Sequence, residues 1–215
     1  KLTHSDDSAG GFKFMALRDM ELGFAPCLVG RVSFTGDLGY EIWMKPEYQR
    51  HVFDRLMEAG EEFGIRMFGL RALNAMRLEK NFGGWAREYR PLYGPVEAGL
   101  DRFIAYEKDV DFIGKKAALA ERANGGAVRL KAFRVAARDA DVIGDEPIWL
   151  NGEVVGWVTS GGYAHNSEAS MAVGYIPKEH ASAEDGWEIE LLGERLAAQI
   201  QHAPIWDANA ARMRG

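Results

Sequence analysis

An α+β fold ending in a small all-β, barrel-like domain is what this sequence predicts, and three observations predict it. The chain opens on strand-like runs joined by a glycine-bearing turn. Two stretches with helical apolar spacing follow. Everything after residue 127 reads as short strands between turn residues.

The opening strands come first. Residues 13–23, KFMALRDMELG, alternate loosely and read as a strand, and 25–34, APCLVGRVSF, form an apolar strand run. FTGDLG then reads as a turn and YEIWM as a short strand. At Pro46 the period changes. In PEYQRHVFDRLMEAGEEFG the apolar residues Tyr48, Val52, Phe53, Leu56, Met57 and Phe63 recur at helical spacing. Pro46 suits a first helical turn, where its missing N–H is no loss, and Gly64 stands where a C-cap is expected. His51 falls on the polar side, as a surface residue.

A second helix is expected over 69–82, GLRALNAMRLEKNF, with Leu70, Leu73, Met76 and Leu78 or Phe82 apolar and Gly83 and Gly84 as its stop. Residues 85–99, WAREYRPLYGPVEAG, are irregular, and an irregular stretch of that length is functional or disordered. Trp85, Tyr89 and Tyr93 argue against disorder. LDRFIAY reads as a strand and IGKKAALAER as a short helix. ANGGA, residues 123–127, marks the boundary, so the expected domains are 1–122 and 127–215. Past it come VRLKAFRV, EPIWL, EVVGWVTS, SMAVGYIP, WEIELL and RLAAQI, with Asn151-Gly152 as a hairpin turn.

Composition narrows the function classes. The 215 residues suffice for one large domain or two smaller ones, and the apolar share of 47% is ordinary for a globular chain. A formal net charge of −6 argues against a general nucleic-acid footprint. The single cysteine, Cys27, lies in FAPCLVG, has no internal disulfide partner and reads as a buried small hydrophobe. No apolar run reaches the roughly 20 residues of a membrane span, and no leader peptide is visible. The expected compartment is cytoplasmic and reducing. The chain opens on Lys1, and KLTHSDDSAGGF reads like the interior of a larger protein, so a fragment is expected. A fragment would expose apolar surface on its first lobes.

The chemistry is read by types. There is no G-x-S-x-G elbow, no P-loop and no G-x-G-x-x-G. The histidines at 4, 51, 165, 180 and 202 are scattered, so no metal site is expected. TSGGYAH reads as a tight turn between two strands. What remains is a constellation of carboxylates, aromatics and arginines: Glu41 after Tyr40, the ring of Phe34, Trp85 with Tyr89 and Tyr93, and Arg71, Arg77, Arg87 and Arg90. A flat heteroaromatic ligand needs apolar walls and one carboxylate that accepts two N–H bonds from an amino-pyrimidine edge. The residues equally allow a structural ion pair between Glu41 and an arginine.

FTGDLGYEI resembles the GYTGEDGFEI-type motif of the glycine-cleavage T-protein (aminomethyltransferase) superfamily. GLRALNAMRLEK, PVEAGLDRF, FIGKKAAL and GWVTSGGYAHNSEASMAVGYIP extend the resemblance in order over nearly the whole chain. RALNAMRLEKNFGGW and PIWDANAARMRG are most similar to the C-terminal folate-binding half of dimethylglycine and sarcosine dehydrogenases. The resemblance implies the C-terminal part of a three-domain aminomethyltransferase fold that lacks the N-terminal third.

It also implies tetrahydrofolate as the cofactor, with FAD expected only on an upstream domain outside this chain. Glu41 would hydrogen-bond the pterin ring. Phe34 stands where the family often has Tyr, keeping the ring wall without the hydroxyl. Tyr40 and Trp85 would lie near the folate. Arg71 lies two positions before Leu73, which stands where the T-protein has its arginine. Glu97 reads as structural, among turn residues. The implied reaction is one-carbon transfer from a methylated amine or glycine-derived donor, giving 5,10-methylenetetrahydrofolate. The family's catalytic Asp lies in the N-terminal third; Asp37 and Asp101 do not match it, and no catalytic residue is assigned here. The alternative is a non-catalytic folate-binding or structural module of a larger FAD-dependent dehydrogenase. A folate-dependent protein of iron–sulfur maintenance should carry K-G-C-Y-x-G-Q-E, which the chain lacks. Partners expected are folate, a methylated amine, and an N-terminal domain or partner chain, with no nucleic acid and no membrane.

Overall fold

A two-residue turn at Gly23 and Phe24 reverses the chain between β1 (Leu17–Leu22) and β2 (Ala25–Gly30), which pair antiparallel from Leu17↔Gly30 to Leu22↔Ala25. After a loop, β3 (Glu41–Met44) pairs antiparallel with β2, giving a three-stranded sheet in the order β1-β2-β3. The structure is a computed structural model and describes residues 1–214. Side chains alternate across a strand, and here the alternation sorts the sheet into two faces. Met20, Leu22, Cys27 and Val29 are buried, and with Ile42 and Met44 they pack on Phe12 and on Val52 and Leu56 of α1 (Gln49–Gly60). Cys27 is thus a core residue, and burial pushes its thiol up from the ordinary value.

The stripe on α1 is narrower than its sequence suggests. Val52 is buried and Leu56 packs against the core, but Phe53 stands exposed, as does Phe63 in the 3-10 turn Glu61–Phe63 that follows α1. One sheet face offers contact to one side of a helix only, and Phe53, a full 100° round from Val52, turns off it. His51 lies on the surface, with Nε2 2.6 Å from the Gly23 carbonyl oxygen.

The chain divides into two compact units, Lys1–Met76 with the segment from Asp207 on, and Arg77–Trp206. α2 (Leu70–Glu79) runs across that division; its first residues are exposed, while Arg77, Leu78 and Glu79 at its end are buried. In the first unit the chain ends in a short helix, α4 (Ala211–Arg214).

The second unit begins with an irregular stretch and α3 (Lys115–Asn124). LDRFIAY is not a strand: Asp101–Phe103 form a single 3-10 turn. Its backbone is satisfied locally, with the Phe103 N–H on Leu100 O and the Ile104 N–H on Asp101 O. A strand needs a ladder partner, and here the turn has taken those groups. The rest is a closed antiparallel barrel in the order β4-β7-β6-β5-β8-β9. Its strands are β4 (Val128–Val135), β5 (Pro147–Leu150), β6 (Glu153–Ala164), β7 (Ala169–Pro177), β8 (Trp187–Leu191) and β9 (Glu194–Gln201). Closure between β4 and β9 leaves no open edge. Phe133, Ile148, Val158, Ile176, Trp187 and Ile189 fill the interior.

Asn151 and Gly152 make the β5–β6 turn with φ of 51° and 90°, as a two-residue hairpin loop requires. TSGGYA, read from sequence as a tight turn, is instead the second half of β6. The reason lies at Gly161. Its N–H donates to Ile143 O at 2.9 Å, and a Cβ there would collide with the Val142 carbonyl. The glycine serves a close backbone approach inside a strand and makes no reversal.

Candidate functional site: an open sheet face and a buried carboxylate

The second face of the three-stranded sheet is uncovered within its unit. The register sets its residues in rows: Leu17–Gly30–Glu41, then Asp19–Leu28–Trp43, then Glu21–Pro26. Leu17, Leu28 and Trp43 are all exposed, so the apolar surface expected on the first lobes is present here. Gly30 has no side chain to hold its neighbours apart. A Cβ there would lie 2.9 Å from both Leu17 Cδ2 and Trp43 Cζ3, so these two side chains close over it. Glu41 ends that row. Its side chain is exposed, and among the described residues nothing hydrogen-bonds or ion-pairs with the carboxylate. The structural ion pair that the sequence allowed is not made. An open groove of about 770 Å³ lies on the same face, lined by Asp19, Glu21, Pro26, Leu28 and Trp43. Glu41 is not among its lining residues; its row is the next one beyond the groove's Trp43 row.

The loop of residues 31–40 joins β2 to β3 and carries two of the other candidates. Tyr40 is half-exposed, and its ring leans on the core residue Phe12 with centroids 5.9 Å apart. Phe34 is on the loop surface. Phe34, Tyr40 and Glu41 thus share one loop–strand junction. Arg71 stands exposed on the first turn of α2 and has no hydrogen bond or ion pair among the described residues.

Trp85 belongs to the second unit, where it is 81% exposed and meets Tyr89 edge-on at 5.8 Å. The loop that presents it is built on a carboxylate that sequence reasoning missed. Glu88 is fully buried, and its carboxylate accepts from Ser160 Oγ at 2.6 Å, Thr159 Oγ1 at 2.5 Å, the Gly84 N–H at 2.7 Å and Arg77 Nη1 at 3.1 Å. Consecutive strand residues normally face opposite ways. Here the register of β6 slips between Val158 and Ser160, and the bulge lets both hydroxyls reach one carboxylate oxygen. Burial alone would raise the Glu88 pKa, but the hydroxyls, the Gly84 N–H and the Arg77 guanidinium outweigh it and hold the carboxyl below its ordinary value. Tyr175 donates from its hydroxyl to Glu88 O at 2.6 Å, and Tyr93 stacks on the Tyr175 ring at 3.7 Å.

Glu79 is the second buried carboxylate. It accepts from the Asn166 N–H and Nδ2, both at 2.7 Å, and from the Ser167 N–H at 3.2 Å, fastening the β6–β7 turn. Lys80 donates to Trp206 O at 3.2 Å. The signal for this set was present in RLEK: charged residues flank Leu78 on both sides at the end of an otherwise amphipathic helix. Glu97 has the structural role read for it. It accepts from the Gly94 and Ala127 N–H groups at 3.1 and 2.7 Å, and although burial pushes its carboxyl up, these backbone donors bring it below the ordinary value. Asp37 pairs with Arg212, so it too is engaged structurally. Among the described residues no group of three His, Cys, Asp or Glu side chains could hold a metal ion, and no helix is long and apolar enough to cross a membrane.

A three-stranded sheet with a helix on one face, followed by a closed six-stranded barrel, is an α+β architecture, and known proteins share it. The family model "GCVT N-terminal domain" matches residues 1–108, and "Glycine cleavage T-protein C-terminal barrel domain" matches 129–207. The chain belongs to the glycine cleavage T-protein family. It is 39% identical over 214 residues to the mitochondrial dimethylglycine dehydrogenase of Mus musculus, covering 100% of this chain and 25% of that protein. The aminomethyltransferase of Desulfitobacterium hafniense is 31% identical over 174 residues, 81% of this chain and 47% of that one. In fold, the solved glycine cleavage system aminomethyltransferase T from Bartonella henselae matches 94% of this chain and 55% of its own with a TM-score of 0.81, at 22% identity. The chain thus spans about a quarter of the length of the dimethylglycine dehydrogenase it matches.

Proposed function

We propose that this chain carries part of a tetrahydrofolate site and serves one-carbon transfer from a methylated amine or a glycine-derived aminomethyl donor, with 5,10-methylenetetrahydrofolate as product. The observation that carries this reading is Glu41: an exposed carboxylate with no partner among the described residues, beside the indole of Trp43 on an open sheet face. Its two oxygens suit the paired N–H groups of an amino-pyrimidinone edge, and the Trp43 ring offers an apolar wall.

When bound, tetrahydrofolate supplies the nucleophilic nitrogen that takes the carbon. The chain's own residues bind and orient it. Glu41 accepts the N–H pair, Phe34 and Tyr40 form the adjoining aromatic surface, and Arg71 offers a positive charge. Trp85, in the second unit, rests on the family resemblance alone. None of these moves a proton in the reaction, and the contribution of this chain is positioning. Relatives that include dimethylglycine dehydrogenase support a methylated amine as the donor; an FAD domain would stand outside this chain.

The test is an anaerobic titration with tetrahydrofolate followed by tryptophan fluorescence, in the parent and in Glu41→Ala. Saturable binding that the substitution removes, with the unfolding midpoint unchanged, supports the reading. A folded chain that binds no folate leaves the alternative, a structural module of a larger dehydrogenase.

A further inference from the structure

The 31–40 loop, which places Phe34, Tyr40 and Glu41, is held by the far end of the chain. Arg31 begins the loop and is 97% buried, being only 3% exposed. Its guanidinium has backbone carbonyls as partners: Nη1 donates to Phe12 O at 2.6 Å, and Nη2 to Arg214 O at 2.6 Å. Asp37, midway along the loop, pairs with Arg212. Arg212 and Arg214 lie on α4, whose geometry is set by Asp207: its carboxylate accepts from the Ala211 N–H at 3.0 Å and the Arg212 N–H at 3.2 Å. Met213, between the two arginines, is buried. Inside the loop, Ser33 Oγ accepts from the Gly36 N–H at 3.1 Å and shares a hydrogen bond with Thr35 Oγ1 at 3.4 Å. Such bonds shape a turn but do not fix it to the sheet.

We propose that residues 207–214 form a positioning strap, with Arg212–Asp37 and Arg214–Arg31 as its two ties, that sets the 31–40 loop and through it the position of Glu41. The strap lies some 175 residues from Asp37 in sequence, yet it is part of the same compact unit. The consequence for ligand affinity rests on the folate reading above; the mechanical claim does not. A carboxylate that accepts two parallel N–H bonds needs its orientation fixed, and a loop free to move would lose affinity while the sheet stays folded.

Because the Asp37–Arg212 pair is partly exposed, it can be broken without threatening the core. Asp37→Asn, Arg212→Gln and the double variant would be compared with the parent in the full chain by amide hydrogen exchange across 31–41, tetrahydrofolate titration and thermal unfolding. The expected result is faster exchange in that segment and affinity weakened about twofold to fivefold, the range an exposed pair supports. The unfolding midpoint should stay within about 2 °C, and the double variant should be no worse than either single one, as residues acting as one unit require. Unchanged exchange in both single variants, or effects that add in the double, would overturn the strap. The two readings fail separately: if the parent binds no folate, the exchange data still judge the strap, and if Glu41→Ala binds normally while exchange responds, only the folate site falls.

Discussion

Two glutamates, Glu41 and Glu88, follow aromatic or arginine-rich stretches near glycines, and the fold treats them in opposite ways. Glu88 is fully buried, with two hydroxyls, a backbone N–H and a guanidinium on its carboxylate. Glu41 is exposed beside Trp43, with no partner among the described residues. A buried charge must be compensated where it stands, so Glu88's partners show what it does: it fastens the Trp85 loop and the end of α2 to the barrel. An exposed charge needs no compensation, so Glu41 is free to meet a ligand. Burial and partners together separate the two roles, and neither residue type nor sequence neighbourhood does.

The largest expected effect in breaking this comparison is at the buried end. Glu88→Ala removes the buried carboxylate that Arg77, Thr159 and Ser160 share, and chemical denaturation should show a loss of about 3–5 kcal/mol, the range for removing one partner of a buried pair. Glu41→Ala should cost no more than about 0.5 kcal/mol in the same assay, as surface changes do, while removing folate binding. Equal losses at both positions would dissolve the distinction.

Gly161→Ala comes next. The new Cβ would meet the Val142 carbonyl, and thermal unfolding should report a loss of about 1–3 kcal/mol, typical of overpacking.

Acid sharpens the contrast further. The folded Glu88 carboxyl titrates below its ordinary value of 4.5. The unfolded chain therefore binds the proton first as pH falls. The stabilisation is complete above about pH 4.5 and is lost as pH drops through the lower folded value. Unfolding midpoints measured from pH 6 to 3 should fall in the parent and fall less steeply in Glu88→Gln. The smallest effect is at the exposed Arg87–Asp145 pair, 3.1 Å apart. Arg87→Ala should change stability by no more than about 1 kcal/mol, and a larger loss would mean that the Trp85 loop depends on more than Glu88.

Much of the fold was legible because its signals are local. The barrel strands announce themselves by alternation and by Asn151-Gly152, and α1 by its helical spacing. LDRFIAY and TSGGYAH misled for the same reason: each had a local composition whose fate depended on a partner elsewhere. The first found its backbone bonds in a 3-10 turn, and the second had to let the Val142 carbonyl come close. Of the candidate site, Glu41, Phe34 and Tyr40 were proposed from the family motif, and the structure sets all three at one loop–strand junction. The Trp43 wall became visible only once register set it in the row beside Glu41.

The sequence by itself determined the order and type of most elements, the T-protein kinship and the choice of Glu41 as the residue to watch. Periodicity and motif spacing are properties of neighbouring residues, and they survive without a fold. Only the tertiary structure decided that Glu79 and Glu88 are buried, that β6 bulges to aim Thr159 and Ser160 at one oxygen, and that α4 returns to hold the 31–40 loop. Those facts depend on desolvation and on contacts between residues from 71 to 183 positions apart, and a charge in a linear sequence carries no mark of whether water will reach it.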